Sequence, residues 1–331
     1  MAFLIEPTLI VALIEVAVGL WLLTKAADEF VEGAANVAGV LRISPVVIGA
    51  VIVGFGTSAP ELLVSSLAAW HGDLDLGVGN VVGSNVANLT LVLGAAALIV
   101  VLRVSPSVLA REAPLSLLSV LLFAYFTTGG LERWEGLVLL GALLGALFWI
   151  VAGGRMDHVE DHSLDNGGPL SRQAVRTAGG LLGTIAGAQL LVWGASAIAT
   201  MAGISGGFVG FTLVAIGTSL PELVTAVAAA RKGETEIILG NLLGSNIFNS
   251  LAVGGAIAAI HPGAVDDKEL ATIGVVGMVL VAFIAWAFMV TRKRVHRIEA
   301  VVLLVIWLVS VVLMARGATE PVASALGLTA G

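Results

Sequence analysis

The sequence contains no cysteine among its 331 residues, and only 12% of its residues are charged. The absence of thiols excludes a disulfide framework, a thiolate metal site and a cysteine nucleophile. Soluble domains carry about a quarter charged residues, whereas this chain is 58% hydrophobic and has a mean hydropathy of +1.04. We therefore predict an all-α integral membrane protein whose apolar stretches form helices of ~20 residues rather than barrel strands.

Signatures of soluble enzymes are also missing. The sequence has neither a nucleotide-binding loop nor a nucleophile–base constellation, and the polar stretches are too short for a soluble domain. We therefore expect no enzymatic activity, no cofactor, no nucleic-acid partner and no protein partner. The lipid bilayer is the one partner that the composition predicts.

The N-terminal segment lacks a basic stretch and a small-residue cleavage site, so we interpret it as the first membrane span. Ten membrane helices are predicted, and 13 of the 16 lysines and arginines fall in the odd-numbered loops. This bias predicts that those loops are cytoplasmic, with both termini outside, in a multi-pass protein of the cell membrane. The helices are expected at residues 4–24, 44–70, 76–102, 113–127, 134–152, 173–200, 206–230, 236–260, 269–291 and 297–316.

One block of sequence occurs twice, at residues 54–94 and 215–255, and the two copies align without a gap. The copies begin in helices 2 and 7, so they cross the membrane in opposite directions. This pattern predicts two inverted five-helix repeats, 1–151 and 173–331, joined by a cytoplasmic linker at 152–172. The first-copy residues that recur unchanged are Gly56, Thr57, Ser58, Pro60, Glu61, Gly79, Asn80, Gly83, Ser84, Asn85 and Asn88.

Each copy places one glutamate, Glu61 or Glu222, well inside an apolar span. A charge at the bilayer centre costs at least ~2.5–3.5 kcal/mol, and neither motif helix has a lysine or arginine near its glutamate. A bound cation or a proton is therefore expected to compensate each carboxylate. The alternative is a protonated glutamate that is only hydrogen-bonded between helices.

Further oxygen atoms accompany each glutamate. Two hydroxyl residues precede it by four and three positions, on the same helix face, and the adjacent proline breaks the helix and exposes carbonyls. Carboxylate, hydroxyl and carbonyl oxygens suit Na⁺ and Ca²⁺ rather than soft metals, although a proline kink with packed hydroxyls is the alternative. The candidate ligands are Thr57, Ser58 and the Gly54 carbonyl in the first copy, and Thr218, Ser219 and the Ala215 carbonyl in the second.

A segment rich in glycine and asparagine follows each glutamate, with the sequences GNVVGSNVAN and GNLLGSNIFN. Its glycines form G-x-x-x-G pairs, which are typical of close helix packing rather than ligation. A serine and an asparagine four residues apart can face the glutamate from a neighbouring helix, and they give the further candidate ligands Ser84, Asn88, Ser245 and Asn249. The other asparagines, expected to join helices, are Asn80, Asn85, Asn241 and Asn246.

The two blocks resemble the repeat motifs of the cation/calcium antiporter superfamily, in particular prokaryotic-type sodium/calcium exchangers without a regulatory domain. The resemblance implies exchange of Ca²⁺ against Na⁺ by alternating access at cation sites in the middle of the membrane. It also implies that Glu61 and Glu222 are the acidic ligands and that helices 1 and 6 slide past the others. The hydroxyl and amide candidates given above match its remaining ligand positions.

One position departs from part of the family. Some prokaryotic members and the potassium-dependent branch carry aspartate where Asn249 stands, so this chain has only two motif carboxylates. Binding of one Ca²⁺ would then give a neutral site and three Na⁺ a positive one, which predicts an electrogenic cycle and disfavours potassium dependence. A Ca²⁺/H⁺ antiporter on the same scaffold stays open, since two glutamates could carry two protons. A passive channel is the third alternative, which a requirement for a counter-ion would exclude.

Overall fold

The computed structural model describes residues 9–154, 168–201 and 215–325, and these residues are almost entirely helical. In a bilayer a helix satisfies its own backbone hydrogen bonds, which is why apolar chain of this length adopts it. Within the described ranges, seven helices are long and apolar enough to cross a membrane. The number is up to eight if the broken helix Pro45–Thr57 and Ala59–Trp70 is one span. The protein is therefore an all-helical membrane protein.

The elements follow one another with short connections. The first half of the chain contains α1 (Leu9–Leu41), α2 (Pro45–Ile48), α3 (Phe55–Thr57), α4 (Ala59–Trp70), α5 (Leu74–Ala87), α6 (Leu93–Ile99), β1 (Leu102–Arg103), α7 (Pro106–Ala110), α8 (Glu112–Gly129) and α9 (Arg133–Gly154). The second half contains α10 (Leu170–Met201), α11 (Ala215–Thr218), α12 (Leu220–Lys232), α13 (Thr235–Phe248), α14 (Gly254–Ile260), α15 (Val275–Arg292), β2 (Arg294–Val295) and α16 (Arg297–Ala325). Wider π-helical turns occupy Gly49–Gly54, Asn88–Val92, Asn249–Val253 and Leu270–Gly274.

The described parts of the predicted helices are largely helical, although residues 4–8 lie outside the described residues. The predicted end of the first helix at residue 24 is wrong. Helix α1 continues to Leu41 because its charged second half is paired: Arg176 of α10 contacts both Glu29 and Glu32. Helix α16 also ends later than expected, at Ala325 rather than 316. Hydropathy identifies the apolar part of a helix, but it does not show where the helical hydrogen bonds end. Residues 206–214, predicted to start helix 7, and most of the predicted linker lie outside the described residues.

The chain packs as two units, each formed from two separate stretches of sequence. The first unit comprises Met1–Pro60 and Ile150–Ser245, and the second comprises Glu61–Trp149 and Asn246–Gly331. Each unit therefore contains parts of both motif copies. The grouping reflects packing only, so the repeat boundaries at 151 and 173 stay a prediction.

In the first unit, α1 and α10 pack along most of their length through glycines. A Cβ atom on Gly180 would lie 2.5 Å from the backbone nitrogen of Phe30, and one on Gly187 would lie 2.5 Å from that of Leu23. Side chains are thus excluded at these crossings, and the helix backbones meet directly. Small residues at such contacts are the usual basis of helix association in lipid.

In the second unit, α16 packs on α6 and α15 packs on α8. Gly94 of α6 lies against the carbonyl of Ala300, and Gly254 at the start of α14 lies against the ring of Phe123. The strands β1 and β2 of this unit pair in antiparallel fashion, with Leu102 opposite Val295. Both of these side chains are fully buried.

Candidate cation site

The helix of each motif copy is interrupted at a serine, two residues before the proline. Ser58 separates α3 from α4 with φ −87° and ψ 9°, and Ser219 separates α11 from α12 with φ −88° and ψ 2°. Both serines adopt the sparsely populated bridge conformation. Pro60 and Pro221 lie in the first turn of the following helix, where a missing N–H is tolerated. The predicted breaks are therefore confirmed in both copies.

Glu222 provides a buried carboxylate in the first unit, where it is 0% exposed. Its Oε1 accepts a hydrogen bond of 2.9 Å from the hydroxyl of Ser58. Its Oε2 is buried and has no hydrogen-bond partner among the described residues. An ionised carboxylate without a compensating charge is costly to bury, so this geometry requires a cation or a proton at Glu222.

The first unit also supplies backbone and hydroxyl oxygens. They come from the helical segment before the break at Ser58 and from α13. The hydroxyl of Thr57 donates to the Val53 carbonyl at 2.9 Å, and that of Ser245 donates to the Gly54 carbonyl at 3.0 Å. The Gly54 carbonyl also accepts the N–H of Ser58 at 3.1 Å. The Gly54 carbonyl therefore already accepts hydrogen bonds from protein groups. This differs from the prediction that the helix break at Pro60 exposes the carbonyl oxygen. A cation at Gly54 would share the oxygen or displace the Ser245 hydroxyl.

The second-copy hydroxyls are also buried in the first unit. Thr218 ends α11, and the hydroxyl of Ser219 has no hydrogen-bond partner within the described ranges. Ala215 is the first described residue of α11. Thr225 is not among the predicted ligands, but its buried hydroxyl likewise has no partner among the described side chains and backbone groups. Its spacing of three residues from Glu222 could have revealed it, since such residues share a helix face.

Glu61 occupies the corresponding place in the second unit, where it is 1% exposed. Its Oε1 accepts a hydrogen bond of 3.5 Å from the hydroxyl of Ser84 on α5. Asn80 donates to the backbone carbonyl of Glu61 at 3.4 Å and to the hydroxyl of Ser65 at 2.9 Å. Asn80 therefore ties α4 to α5, as expected of a residue that joins helices.

Amide side chains form the rest of the second-unit set. Asn88 donates to Asn246 Oδ1 at 3.2 Å, whereas neither polar atom of Asn249 has a hydrogen-bond partner within the described residues. Asn249 is 0% exposed, and an unsatisfied buried polar group costs about 1–3 kcal/mol. Asn246 was predicted only to join helices, but its contact with Asn88 places it beside this set of candidate ligands.

Both candidate asparagines begin π-helical turns, Asn88–Val92 and Asn249–Val253. Such turns are rare and occur frequently at functional sites. The wider turn leaves backbone and side-chain groups displaced from their ordinary helical directions. The sequence does not reveal it, because a π-turn has no characteristic composition.

The candidate ligands thus fall into two sets, each described within its own unit. The first-unit set is Gly54, Thr57, Ser58, Ala215, Thr218, Ser219, Glu222 and Ser245, and the second-unit set is Glu61, Ser84, Asn88 and Asn249. Among the described residues, no group of three or more His, Cys, Asp or Glu side chains is arranged to hold a metal ion. A cation at either set would therefore be coordinated largely by neutral oxygens, as suits a hard cation.

Known proteins are similar to this chain in sequence and in fold. CaxA of Alkalimonas amylolytica, a proposed antiporter, is 40% identical over 308 residues, which cover 89% of this chain and 96% of CaxA. The sodium/calcium exchanger MaX1 of Methanosarcina acetivorans is 30% identical over 339 residues, covering 89% of this chain and 96% of MaX1. The structure of the sodium-calcium exchanger NCX_Mj, from crystals soaked with 10 mM Na⁺ and zero Ca²⁺, matches with a TM-score of 0.83. It is 30% identical and covers 92% of this chain and 99% of its own.

A sequence profile extends this similarity to both halves of the chain. The profile described as "Sodium/calcium exchanger protein" matches residues 11–152 and 173–316. These ranges contain both motif copies and leave out residues 153–172, which are all but the first residue of the predicted linker. The chain therefore belongs to the sodium/calcium exchanger protein family.

Proposed function

We propose that the protein exchanges Ca²⁺ against Na⁺ across the cell membrane, by alternating access at a cation site near the membrane midplane. The observation that carries this proposal is the environment of Glu222. Its carboxylate is fully buried, receives the hydroxyl of Ser58 and has one oxygen without a partner among the described residues. A transported cation supplies the missing charge, and its release to either side leaves a state that must bind another ion.

The chemistry of the ligands supports Na⁺ and Ca²⁺ as substrates. Carboxylate, hydroxyl, carbonyl and amide oxygens are ligands for hard cations. The two motif copies each contribute one carboxylate, Glu61 and Glu222, and we assign both to the transported ions. MaX1 and NCX_Mj, which resemble this chain over most of its length, carry the name of sodium/calcium exchanger.

The proposed architecture has ten membrane helices arranged as two inverted five-helix repeats. The second copy begins five helices after the first, and this odd offset supports inversion because it reverses the direction in which the second copy crosses. The predominance of lysine and arginine in the odd-numbered loops supports a cytoplasmic location for those loops and an outside location for both termini. Lipid is the environment, and the two ions are the substrates.

Ca²⁺/H⁺ exchange on the same scaffold is the second candidate. The same buried carboxylates favour it, since a proton also neutralises a glutamate in an apolar environment. Two protons at Glu61 and Glu222 would balance one Ca²⁺. The family membership supports cation exchange and leaves the counter-ion to be measured.

Reconstituted transport distinguishes the two candidates. In liposomes loaded with Na⁺ and diluted into Na⁺-free medium, we expect uptake of radioactive Ca²⁺ driven by the Na⁺ gradient alone. Separate arms replace the Na⁺ gradient by a pH gradient or a K⁺ gradient, and protein-free liposomes give the leak. Uptake that follows only the pH gradient would assign the protein to Ca²⁺/H⁺ exchange, and uptake without any counter-ion would indicate a channel.

Substitution of Asn249 by aspartate tests the role of the missing third carboxylate. We expect Asn249→Asp to make Na⁺-driven Ca²⁺ uptake responsive to K⁺, because the added charge allows another monovalent cation to be held with Ca²⁺. The measurement compares uptake with and without K⁺ in the variant and the unmodified protein. Asn80→Asp, which alters an amide already bonded to Ser65 and Glu61, is the control. A K⁺ response in the unmodified protein, or none in Asn249→Asp, would contradict the assignment.

A further inference from the structure

Two loops of the second unit that lie far apart in the sequence contribute the strands β1 and β2, which pair as a short sheet. The register places Leu102 opposite Val295 and Arg103 opposite Arg294. The N–H of Val104 donates to the Lys293 carbonyl at 2.9 Å and extends the ladder by one bond. Residues on opposite faces of a strand alternate, and here the leucine and valine are buried while both arginines are exposed.

The sheet therefore holds two arginines side by side on one exposed face. Directly opposed residues in a strand pair have Cβ atoms about 4.5–5.5 Å apart, and like charges in this position are destabilising. Within the described part of the chain, no carboxylate forms an ion pair with Arg103 or Arg294. An anion from outside the chain would relieve this repulsion.

Further basic residues lie close to Arg294 in the sequence, although the chain as a whole has a net charge of −7. Arg292, Lys293 and Arg297 are exposed at the end of α15 and the start of α16. The nearby Glu299 is 3.5 Å from Arg292 and is only 13% exposed. We call Arg103, Arg292, Lys293, Arg294 and Arg297 the basic loop patch.

The position of the patch points to lipid as the source of the anion. Helix α15 ends at Arg292 and α16 begins at Arg297, and the first of these helices belongs to an apolar span of mean hydropathy 2.6. Val290 and Ile298, which flank the loop, are 42% and 75% exposed. Apolar side chains this exposed at helix ends suit acyl chains, and the basic residues beside them then lie at the level of the headgroups.

We propose that the basic loop patch binds the phosphate of an anionic phospholipid, with Arg103 and Arg294 as its principal ligands. The guanidinium groups offer planar, paired N–H donors that match phosphate oxygens. The bound lipid offsets the repulsion across the strand pair and so stabilises the β1–β2 connection. The proposal is independent of which ions the protein transports.

Lipid titration of the full-length protein in neutral detergent tests this site. Native mass spectrometry measures binding of phosphatidylglycerol and phosphatidylcholine, and tryptophan fluorescence gives the thermal unfolding midpoint. We expect tighter binding of phosphatidylglycerol and a larger rise in midpoint with it. Each arginine near a membrane surface is worth about 1 kcal/mol with anionic lipid, which corresponds to about fivefold. The variant Arg103→Gln/Arg294→Gln should therefore bind phosphatidylglycerol roughly 30-fold more weakly.

The matched control removes two exposed arginines at other helix ends, as Arg133→Gln/Arg231→Gln, and should keep the preference for phosphatidylglycerol. Equal binding of the two lipids by the unmodified protein would overturn the proposal, as would a preference that survives in Arg103→Gln/Arg294→Gln. Inorganic phosphate provides a third arm. If it raised the midpoint as much as phosphatidylglycerol does, the arginines would be a site for free phosphate and not for lipid.

Discussion

Replacement of Glu222 by glutamine is expected to reduce Na⁺-driven Ca²⁺ uptake by at least about 100-fold while the protein stays folded. Glutamine has nearly the same shape, so the contact with Ser58 can be kept. The negative charge is lost, and removing one partner of a buried ionic contact costs about 3–5 kcal/mol. A loss of 3 kcal/mol corresponds to roughly a hundredfold in affinity or rate.

The measurement is Ca²⁺ uptake in liposomes that contain equal amounts of protein, with the thermal unfolding midpoint as the test of folding. Glu15→Gln is the matched control, because Glu15 is also a carboxylate on a membrane helix, α1, and has no part in the proposed site. We expect Glu15→Gln to retain uptake. Uptake by Glu222→Gln close to that of the unmodified protein would show that this carboxylate is not a ligand of the transported ions.

Introduction of a methyl group at Gly244 is expected to cause a large loss of stability in the first unit. A Cβ atom there would lie 2.5 Å from the Cα and 2.8 Å from the carbonyl carbon of Ala50. Both are backbone atoms, so no side chain can rotate away and the π-helical turn Gly49–Gly54 must shift. Overpacking typically costs 1–3 kcal/mol, and we expect Gly244→Ala to reach at least about 3 kcal/mol because the backbone itself must move.

Gly145→Ala provides the control for this packing argument. Gly145 lies on the exposed face of α9, and no described atom lies within 4 Å of its added Cβ. Alanine also favours a helix more than glycine, so this variant should be as stable as the unmodified protein. The test is the thermal unfolding midpoint of both variants in one detergent. An unchanged midpoint in Gly244→Ala would mean that the two backbones separate easily.

Gly244→Ala should also impair transport, because Ser245 follows it directly. The hydroxyl of Ser245 bonds to the carbonyl of Gly54, within the turn that would have to move. A shift of this turn would change the positions of two candidate ligands together. The uptake assay and the unfolding midpoint thus report on the same displacement in different ways.

Local rules were sufficient to predict much of the candidate site. Glu61 and Glu222 were identified because an unpaired charge in an apolar span is expensive. Pro60 and Pro221 predicted the helix breaks, because a residue without an N–H cannot continue the hydrogen-bonding pattern. Both inferences depend on a few adjacent residues, and the duplication provided a second instance of each.

Features that depend on distant residues could not be predicted in the same way. The extent of α1 depends on Arg176, which is 144 residues away from its partner Glu32. The Asn249 amide, which has no hydrogen-bond partner among the described residues, and the hydrogen-bonded carbonyl of Gly54 both depend on which groups pack around them. The pairing of Arg103 with Arg294 requires two loops whose sequences carry no sign of each other.

Each unit combines an early and a late stretch of the chain, so neither unit can pack fully until much of the chain has been synthesised. Helix α1 finds its long packing partner in α10, and the first unit is complete only when residues up to Ser245 have been inserted. During synthesis the earlier helices must therefore reside in the bilayer with their small-residue faces covered by lipid or by insertion factors. Final packing is then a late event that involves the whole chain, since segments of high sequence separation associate slowly. Chains interrupted before α10 would leave the surface of α1 open to other membrane proteins and to quality-control proteases.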